Sequence, residues 1–427
     1  MISRSIVRAA LIATSALTLA ATPALAQKQR TPSPAVAEAQ AEAERAKLFA
    51  LFEDADEREL ALNPLSRLFR GDDENARRLG DYLTDAFFIA ARTDTQLNLA
   101  KLALIDRSKL ATNDALAYDV FRYNQEQALR LSSDEMRALT EVRPVNHFTG
   151  FHTFYPTFAS GTGAAPFKTL ANYEDNLARH DDYIAITLRA IARSREGMAS
   201  GVVETKLTIN NVIEQLNTQL AIPVAESQFM GPVRDFPEGI TEADRARLTA
   251  AYEAKTREIY AAHTALRDFL RDEYLDAARD SFGLSQMKGG AELYALLVEQ
   301  TTTLPLDAET IHQLGLKEVA RIKSDLEAIK AEVKFEGTLN EFFDYVRTDP
   351  KFQPESREAL TQSYYQIGRE VDAKIADYFS LVPKSPLEIR PYDPSIEQFE
   401  AGGSYMPGTP DGSRAGVFYF NAYDLPS

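Results

Sequence analysis

Residues 401–427 read AGGSYMPGTPDGSRAGVFYFNAYDLPS, and this stretch determines how the rest of the chain is interpreted. Its first part, residues 402–416, is rich in Gly, Pro, Ser and Asp, which is typical of an ordered loop with tight turns. Residues 417–423 then alternate as a strand with large apolar groups on both faces. One face would carry Val417, Tyr419, Asn421 and Tyr423, and the other Phe418, Phe420 and Ala422. Because an aromatic strand left bare at a chain end would be an exposed edge, we expect the natural chain to continue past Ser427.

Two motifs in this stretch carry a resemblance to a known family. They are Gly402-Gly403-Ser404-Tyr405 and Asp411-Gly412-Ser413-Arg414-x-Gly416-x-Phe418-Tyr419-x-Asn421. Together they resemble the bacterial domain-of-unknown-function 885 family (DUF885), which is related to zinc-dependent metallopeptidases. Segments 195–201, 283–290 and 301–315 are similar to that family as well, so that the resemblance covers residues 45–427.

The resemblance implies a zinc motif of the His-Glu-x-x-x-Gly-His type on a helix that follows this strand. No such motif occurs in the chain, because none of its histidines is followed by Glu. The histidines are His147, His152, His180, His263 and His312. We therefore expect zinc only in the complete protein, with its ligands beyond Ser427. The chain by itself is expected to bind no zinc and to hydrolyse no peptide.

The resemblance also implies roles for individual residues of the terminal stretch. Residues 417–423 would act as a rail to which an extended peptide adds as a strand, with Phe418 and Asn421 among the substrate-binding residues. Tyr405 and Tyr419 would donate to an oxyanion, and Arg414 would bind a substrate carboxylate. The alternative is that the loop glycines only form turns and that the aromatic side chains are core. The loop glycines are Gly402, Gly403, Gly412 and Gly416.

An unusually aromatic segment at residues 142–168 interrupts the helical pattern and predicts a long loop. It contains His147 and His152, which are five residues apart, whereas helical metal ligands lie three or four apart. Ordinary packing is therefore favoured, lining of a substrate cleft is the alternative, and no metal site is predicted. His263 lies among apolar residues and is interpreted as a hydrogen-bonded core histidine.

The amino terminus carries an export signal. Residues 1–26 combine a basic start, an apolar core and the site Ala24-Leu25-Ala26, which is typical of a cleaved secretory signal. Residues 27–35 are predicted to be a disordered leader. The chain contains no cysteine, so it has neither disulfides nor a lipoprotein signal. We expect a periplasmic or secreted protein without a membrane span.

Between these ends the sequence predicts a mainly α fold, with a multi-helix body over residues 36–385 and a short β segment near the C-terminus. An incomplete sheet and active-site loop occupy residues 386–427. Helices are predicted at 37–62, three times within 74–130, and at 169–195, 206–220, 241–282, 308–332 and 357–379. The last two carry apolar residues three and four apart, which indicates packing faces.

The charge of the chain restricts the classes of partner that it could bind. The formal net charge of -16 disfavours nucleic acid as a partner. The leading hypothesis is an exported zinc-dependent peptidase or carboxypeptidase-like hydrolase in its complete form, acting on a peptide or other small substrate. The alternative is a non-enzymatic helical binding or scaffold protein of the cell envelope.

Overall fold

The computed structural model describes residues 33–392, 397, 401–423 and 425, so the predicted signal and most of the predicted leader lie outside the described residues. The fold is mainly helical with a small three-stranded sheet near the C-terminus, as predicted. The helices are α1 (Pro34–Leu62), α2 (Pro64–Phe69), α3 (Asp85–Leu102), α4 (Thr112–Leu131), α5 (Asp134–Thr140), α6 (Phe151–Phe158), α7 (Leu170–Ser200), α8 (Lys206–Ala221), α9 (Glu242–Phe269), α10 (Leu275–Ala277), α11 (Gly290–Thr302), α12 (Ala308–Glu332), α13 (Leu339–Thr348), α14 (Arg357–Asp372) and α15 (Ile375–Tyr378). The strands are β1 (Leu387–Pro391), β2 (Gly403–Met406) and β3 (Gly416–Phe420).

The observed helix ends agree with the predicted ones where a capping residue marks the end in the sequence. Thr169 caps α7 through a capping box, and Asp307 accepts from the backbone N–H of Thr310 at 2.9 Å to start α12. The helix predicted to reach residue 282 instead ends at Phe269 and passes into a π-turn at Leu270–Tyr274. The apolar pattern continues through Leu270–Tyr274, so it does not indicate that the backbone changes there from α-helical to π-helical geometry.

Two further segments differ from the sequence prediction. Residues 74–84 form turns rather than a helix, with Asn75 and Leu83 at positive φ. The predicted loop at 142–168 contains α6, whose Tyr155 and Phe158 are buried in the core. Burial of its aromatic side chains stabilises this short helix despite the internal Pro156.

The centre of the body is a buried polar network between α7 and α9. Arg179 is 1% exposed and donates to the carbonyl of Ala76 and to Asn176 Oδ1. The Asn176 amide nitrogen therefore points to His180 Nε2, at 3.2 Å, and to Tyr252 Oη, at 3.1 Å. Because Nε2 accepts a hydrogen bond, His180 is neutral, and burial lowers its pKa to about 3. The network fixes how α7 and α9 pack against each other.

His263 has the core role that its sequence neighbours predicted. It is fully buried in α9, and its Nε2 lies 2.6 Å from Tyr183 Oη. Burial lowers the pKa of His263 to about 3, which keeps the ring neutral.

The sheet has the order β1-β3-β2, with β1 parallel and β2 antiparallel to β3. Phe418 and Phe420 of β3 face α14, where both rings contact Tyr364 at centroid distances of 5.5 and 4.9 Å. Tyr419 faces the other way and stacks on Tyr392 at 5.7 Å. The alternation predicted for residues 417–423 is confirmed as far as Phe420, where β3 ends three residues earlier than predicted. The expectation of a bare aromatic edge is wrong, because β3 is the central strand.

The apolar face predicted on α12 lies open to solvent. Val319, Ile322, Ile329 and Val333 are 46–58% exposed. Helix α12 contacts mainly α13, because the apolar spacing specifies a face but not its partner. None of the described helices combines the length and apolarity needed to cross a bilayer.

We expect the double substitution Val319→Gln and Ile322→Gln to reduce self-association while changing the melting temperature by no more than about 2 °C. These exposed side chains bury little area on folding and therefore contribute little to stability, but together they form an apolar surface through which two molecules can associate. Light scattering and thermal unfolding provide the two measurements, and Lys323→Gln on the same helix is the matched control. A melting temperature lowered as far as by a core substitution would instead show that this face is packed.

Candidate functional site

The Gly-rich loop at residues 402–416 is fixed to the helical body by Arg414. The guanidinium group donates to the backbone carbonyls of Phe69, Ala164 and Pro407. Its Nε is buried and has no hydrogen-bond partner among the described residues. Burial lowers the pKa of Arg414. This geometry favours a docking role, and the predicted role in binding a substrate carboxylate stays a prediction.

Thr409 organises the turn that presents Arg414. Its backbone N–H donates to the carbonyl of Arg414 at 3.1 Å, and its hydroxyl oxygen accepts from the Arg414 N–H at 2.9 Å. Hydrogen bonds from Thr409 and Ser413 lower the pKa of Asp411 to about 2. Gly412 completes the turn at a φ of 81°, a left-handed conformation that favours glycine. The loop is therefore an ordered structure, as its composition predicted.

Arg414→Met is expected to release this loop. Loss of the guanidinium donors would favour local opening of the loop by about 1.5–3 kcal/mol. For Arg414→Lys we expect an opening free energy between those of the unmodified protein and Arg414→Met, because an ammonium group lacks the planar donor geometry of a guanidinium. Hydrogen exchange of residues 402–416 measures the effect. Arg390→Met is the matched control, since Arg390 is an exposed arginine of the same sheet that pairs with Glu388. Equal exchange in both variants would contradict the docking role.

The predicted rail cannot be β3, because both of its edges are already paired. The outer edge of β1 is covered by α14, where Tyr365 Oη donates to the Ile389 carbonyl at 3.0 Å. Within the described residues, no strand pairs with the second edge of β2, whose residues Gly403, Ser404 and Tyr405 are exposed. The position suited to an added strand is therefore β2.

The hydrogen-bond phase of the ladder identifies which backbone groups of β2 face outward. The Asn421 N–H donates to the Gly402 carbonyl at 3.1 Å. Hydrogen-bonded and non-hydrogen-bonded pairs alternate along an antiparallel ladder. The N–H and C=O groups of Gly403 and Tyr405 therefore point away from β3, toward the free edge.

The structure separates the two tyrosines that were predicted to share an oxyanion. Tyr405 pairs with Phe418, and Ser404 pairs with Tyr419. Because directly paired residues project on the same face of a sheet, Tyr405 and Tyr419 lie on opposite faces. This geometry does not favour one oxyanion bound by both hydroxyl groups, and the role of each tyrosine stays a prediction. Tyr405 is 58% exposed, whereas Tyr419 and Phe418 are half-buried.

The remaining predicted residues have structural contacts. Asn421 Nδ2 donates to the carbonyl of Glu397 at 2.8 Å, and Asn421 Oδ1 accepts from the Tyr423 N–H. A methyl group added to Gly416 would lie 2.3 Å from Tyr405 Oη, so glycine leaves room for the Tyr405 ring at this position. Gly402 and Gly403 are exposed at the start of β2.

A groove of about 580 Å³ begins where β2 ends. One wall is the segment Pro407, Gly408 and Pro410, and the other comes from α1 and α2. The second wall is lined by Asp56, Glu59, Ser66, Phe69 and Arg70. The sequence does not indicate this second wall, because its residues in α1 and α2 lie far along the chain from the Gly-rich loop.

One carboxylate of the groove, Glu59, has no contact ion pair among the described residues, although the charge of Arg70 acts on it from a longer distance. Asp56 accepts two hydrogen bonds from Arg70, at 2.7 and 2.8 Å. Glu59 accepts from Asn63 Nδ2 at 3.0 Å and forms no ion pair with any described residue. Partial burial raises the pKa of Glu59. The groove therefore presents negative charge beside the Phe69 ring.

The histidines proposed as possible cleft lining lie elsewhere. His152 is buried, its Nε2 lies 3.0 Å from Gln215 Oε1, and burial lowers its pKa to about 4. The carbonyl of His147 accepts from Gln215 Nε2 at 2.9 Å. His152 borders a cavity of about 20 Å³, which has room for one water molecule rather than a substrate. This geometry favours packing.

The described residues do not fit a zinc site. Among them, no group of three His, Cys, Asp or Glu side chains is placed to hold a metal ion. Two of the buried histidines, His180 and His263, already bond tyrosine hydroxyls within the core. No chemical step through zinc is therefore derived for this chain.

Comparison with known proteins gives one family and two related structures. The profile of a family described as "Bacterial protein of unknown function (DUF885)" matches residues 64–427. A crystal structure from Colwellia psychrerythraea, reported as a "putative lipoprotein", is 19% identical, with a TM-score of 0.76 over 90% of this chain and 68% of that one. The structure of "a putative lipoprotein of unknown function" from Shewanella oneidensis is 16% identical, with a TM-score of 0.49 over 89% of this chain and 65% of that one. No curated protein matches.

Proposed function

The chain belongs to the bacterial DUF885 family, and on this premise we propose that it forms the substrate-binding framework of an exported peptidase or carboxypeptidase-like hydrolase. The observation that carries the proposal is the free edge of β2 beside the groove. An extended peptide would add to this edge through the backbone groups of Gly403 and Tyr405. Its end would then enter the groove at Pro407.

Peptide addition at β2 has a chemical purpose in a hydrolase. Backbone hydrogen bonds hold a peptide extended and fix the position of each carbonyl, whatever its side chains. Arg414 supports this arrangement because it fixes the loop that continues from β2. These residues bind and orient the substrate, and no described residue is assigned the cleavage of the bond.

The proposal assigns zinc to a longer form of the protein, since the described residues do not fit it. The chain spans 68% and 65% of the two related structures. Metal analysis after dialysis should find well under one zinc per chain, together with no peptide hydrolysis. A stoichiometric zinc ion would contradict this assignment and direct attention to His147 and His152.

Export is the second part of the proposal. It rests on the secretory pattern of residues 1–26. The two related structures are each reported as a "putative lipoprotein", whereas this chain has no cysteine for lipid attachment. We therefore propose a periplasmic or secreted protein without a lipid anchor.

Tyr405→Pro tests the β2 proposal, with Tyr405→Ala as its matched control. Proline removes the outward N–H of β2 without removing a ladder bond to β3, whereas alanine removes only the side chain. Fluorescence anisotropy of short, blocked, labelled peptides is the measurement. We expect the proline variant to bind about tenfold more weakly than the alanine variant. Equal affinities would contradict pairing at this edge.

A second candidate is a non-enzymatic binding or scaffold protein of the cell envelope. The exposed apolar residues of α12, together with Ile367 and Val371 of α14, favour it. If this candidate is correct, the α12 substitutions described above should abolish association with envelope proteins, while Tyr405→Pro leaves that association intact.

A further inference from the structure

The groove between α1, α2 and the Gly-rich loop combines a carboxylate with apolar walls. We propose that it binds the ammonium group of a peptide substrate, with Glu59 as the counter-ion and Phe69 as the wall against which the aliphatic chain packs. This inference rests on the proposed function, because it assigns a substrate class to the same surface. Such a group comes either from a lysine side chain or from a free amino terminus.

Charge complementarity is the first observation in support. Three ionisable side chains line the groove, and two of them, Asp56 and Arg70, neutralise each other in a two-point ion pair. Glu59 accepts one hydrogen bond from Asn63, and no described lysine, arginine or histidine lies within ion-pair distance of it. Arg70 attracts both carboxylates, so the three side chains together keep one net negative charge. A ligand that carries one positive charge would complete the site, whereas an anion would meet the charge of Glu59.

The apolar surface is the second observation. Phe69 is 39% exposed, although its ring also packs on Phe158 at 5.6 Å. Pro407 and Pro410 form the opposite wall. An aliphatic stem between a phenyl ring and two prolines buries its methylene groups while its charged end reaches the carboxylate. The ring face can also attract the cation directly.

Continuity with β2 is the third observation. The groove-lining residue Pro407 directly follows the last residue of β2, Met406. A peptide held along β2 therefore has its nearest end or side chain at the groove. Docking of the loop creates the opposite wall, since Thr409 lies against Gly71 and Arg414 bonds the carbonyl of Phe69.

Paired peptides test the inference on the full chain. The probes are labelled peptides with both ends blocked that carry lysine or the neutral norleucine at one position, and a lysine-free peptide with its amino terminus free or acetylated. Affinity is measured at low salt, because salt screens a partly exposed ion pair. We expect at least one cationic peptide to bind about fivefold more tightly than its neutral partner. The pair that shows the difference identifies the source of the ammonium group.

Glu59→Gln should remove this preference, and Glu53→Gln, an exposed glutamate of the same helix outside the groove, should keep it. If neutral and cationic peptides bind equally to the unmodified protein, the ammonium site is overturned while pairing at β2 stands. If Glu53→Gln removes the preference as well, overall charge and not the groove explains it, and the site is again overturned. If neither the cationic nor the neutral peptides bind to the unmodified protein, the proposed function and this inference fail together.

Discussion

Lowering the pH from about 6.5 to about 4 is expected to reduce the free energy of unfolding by as much as about 4 kcal/mol per pH unit. Burial lowers the pKa of His152 to about 4 and those of His180 and His263 to about 3. In the unfolded chain these rings would take up protons near pH 6.5. The unfolded state therefore binds more protons below that pH, and stability rises with pH across the window and levels off above it.

The slope comes from up to about 1.4 kcal/mol per pH unit for each histidine that titrates only on unfolding. Denaturant unfolding at a series of pH values measures it. His152→Gln should lower the slope by about a third, because it can keep a hydrogen bond to Gln215 without taking up a proton. His312→Gln is the control, since His312 is exposed on α12. An unfolding free energy that stays constant between pH 6.5 and pH 4.5 would show that the three rings are hydrated in the folded protein.

Arg357→Met is expected to destabilise the contact between α14 and the sheet by about 3–5 kcal/mol. Arg357 donates two hydrogen bonds to Glu397, which is 2% exposed. Removing the arginine leaves a buried carboxylate without its cation. Because Asn421 bonds the Glu397 backbone carbonyl, the loss should also loosen the loop that leads into β2.

A double-mutant cycle separates this cause from a general packing defect. Arg357→Met with Glu397→Leu removes both charges, so the double variant should recover most of the stability lost in Arg357→Met. Denaturant unfolding gives the free energies, and peptide anisotropy shows whether the β2 edge recovers with them. A double variant no more stable than Arg357→Met would contradict the assignment of the loss to an unpaired charge.

Local signals explain which elements could be predicted from the sequence. Helix α12 has its predicted bounds because Asp307 caps it and the apolar spacing is regular to its end. The alternation along β3 could also be predicted, because the direction of a side chain in a strand follows from its position in the sequence. Helix α9 ends early at a π-turn that carries the same apolar pattern, so periodicity could not locate its end.

The parts of the site that could not be predicted depend on contacts between distant segments. Arg414 bonds Phe69 across 345 residues, and contacts of this kind between the loop and the helical body form the groove. The pairing order that makes β2 an edge and β3 a central strand is also non-local. The sequence therefore indicates the loop and its residues, but not that β3 is paired on both edges, nor that Arg414 contacts the helical body.

Hydrogen exchange of the β2 amides with and without bound peptide is the most direct test of peptide pairing at this edge. The N–H groups of Gly403 and Tyr405 should exchange freely in the unliganded protein and become protected with saturating peptide. Those of Phe418 and Phe420, within the central strand β3, should change little. Protection at Gly403 and Tyr405 alone is the predicted result. Unchanged exchange at both residues, with peptide bound, would contradict the assignment of substrate to the edge of β2.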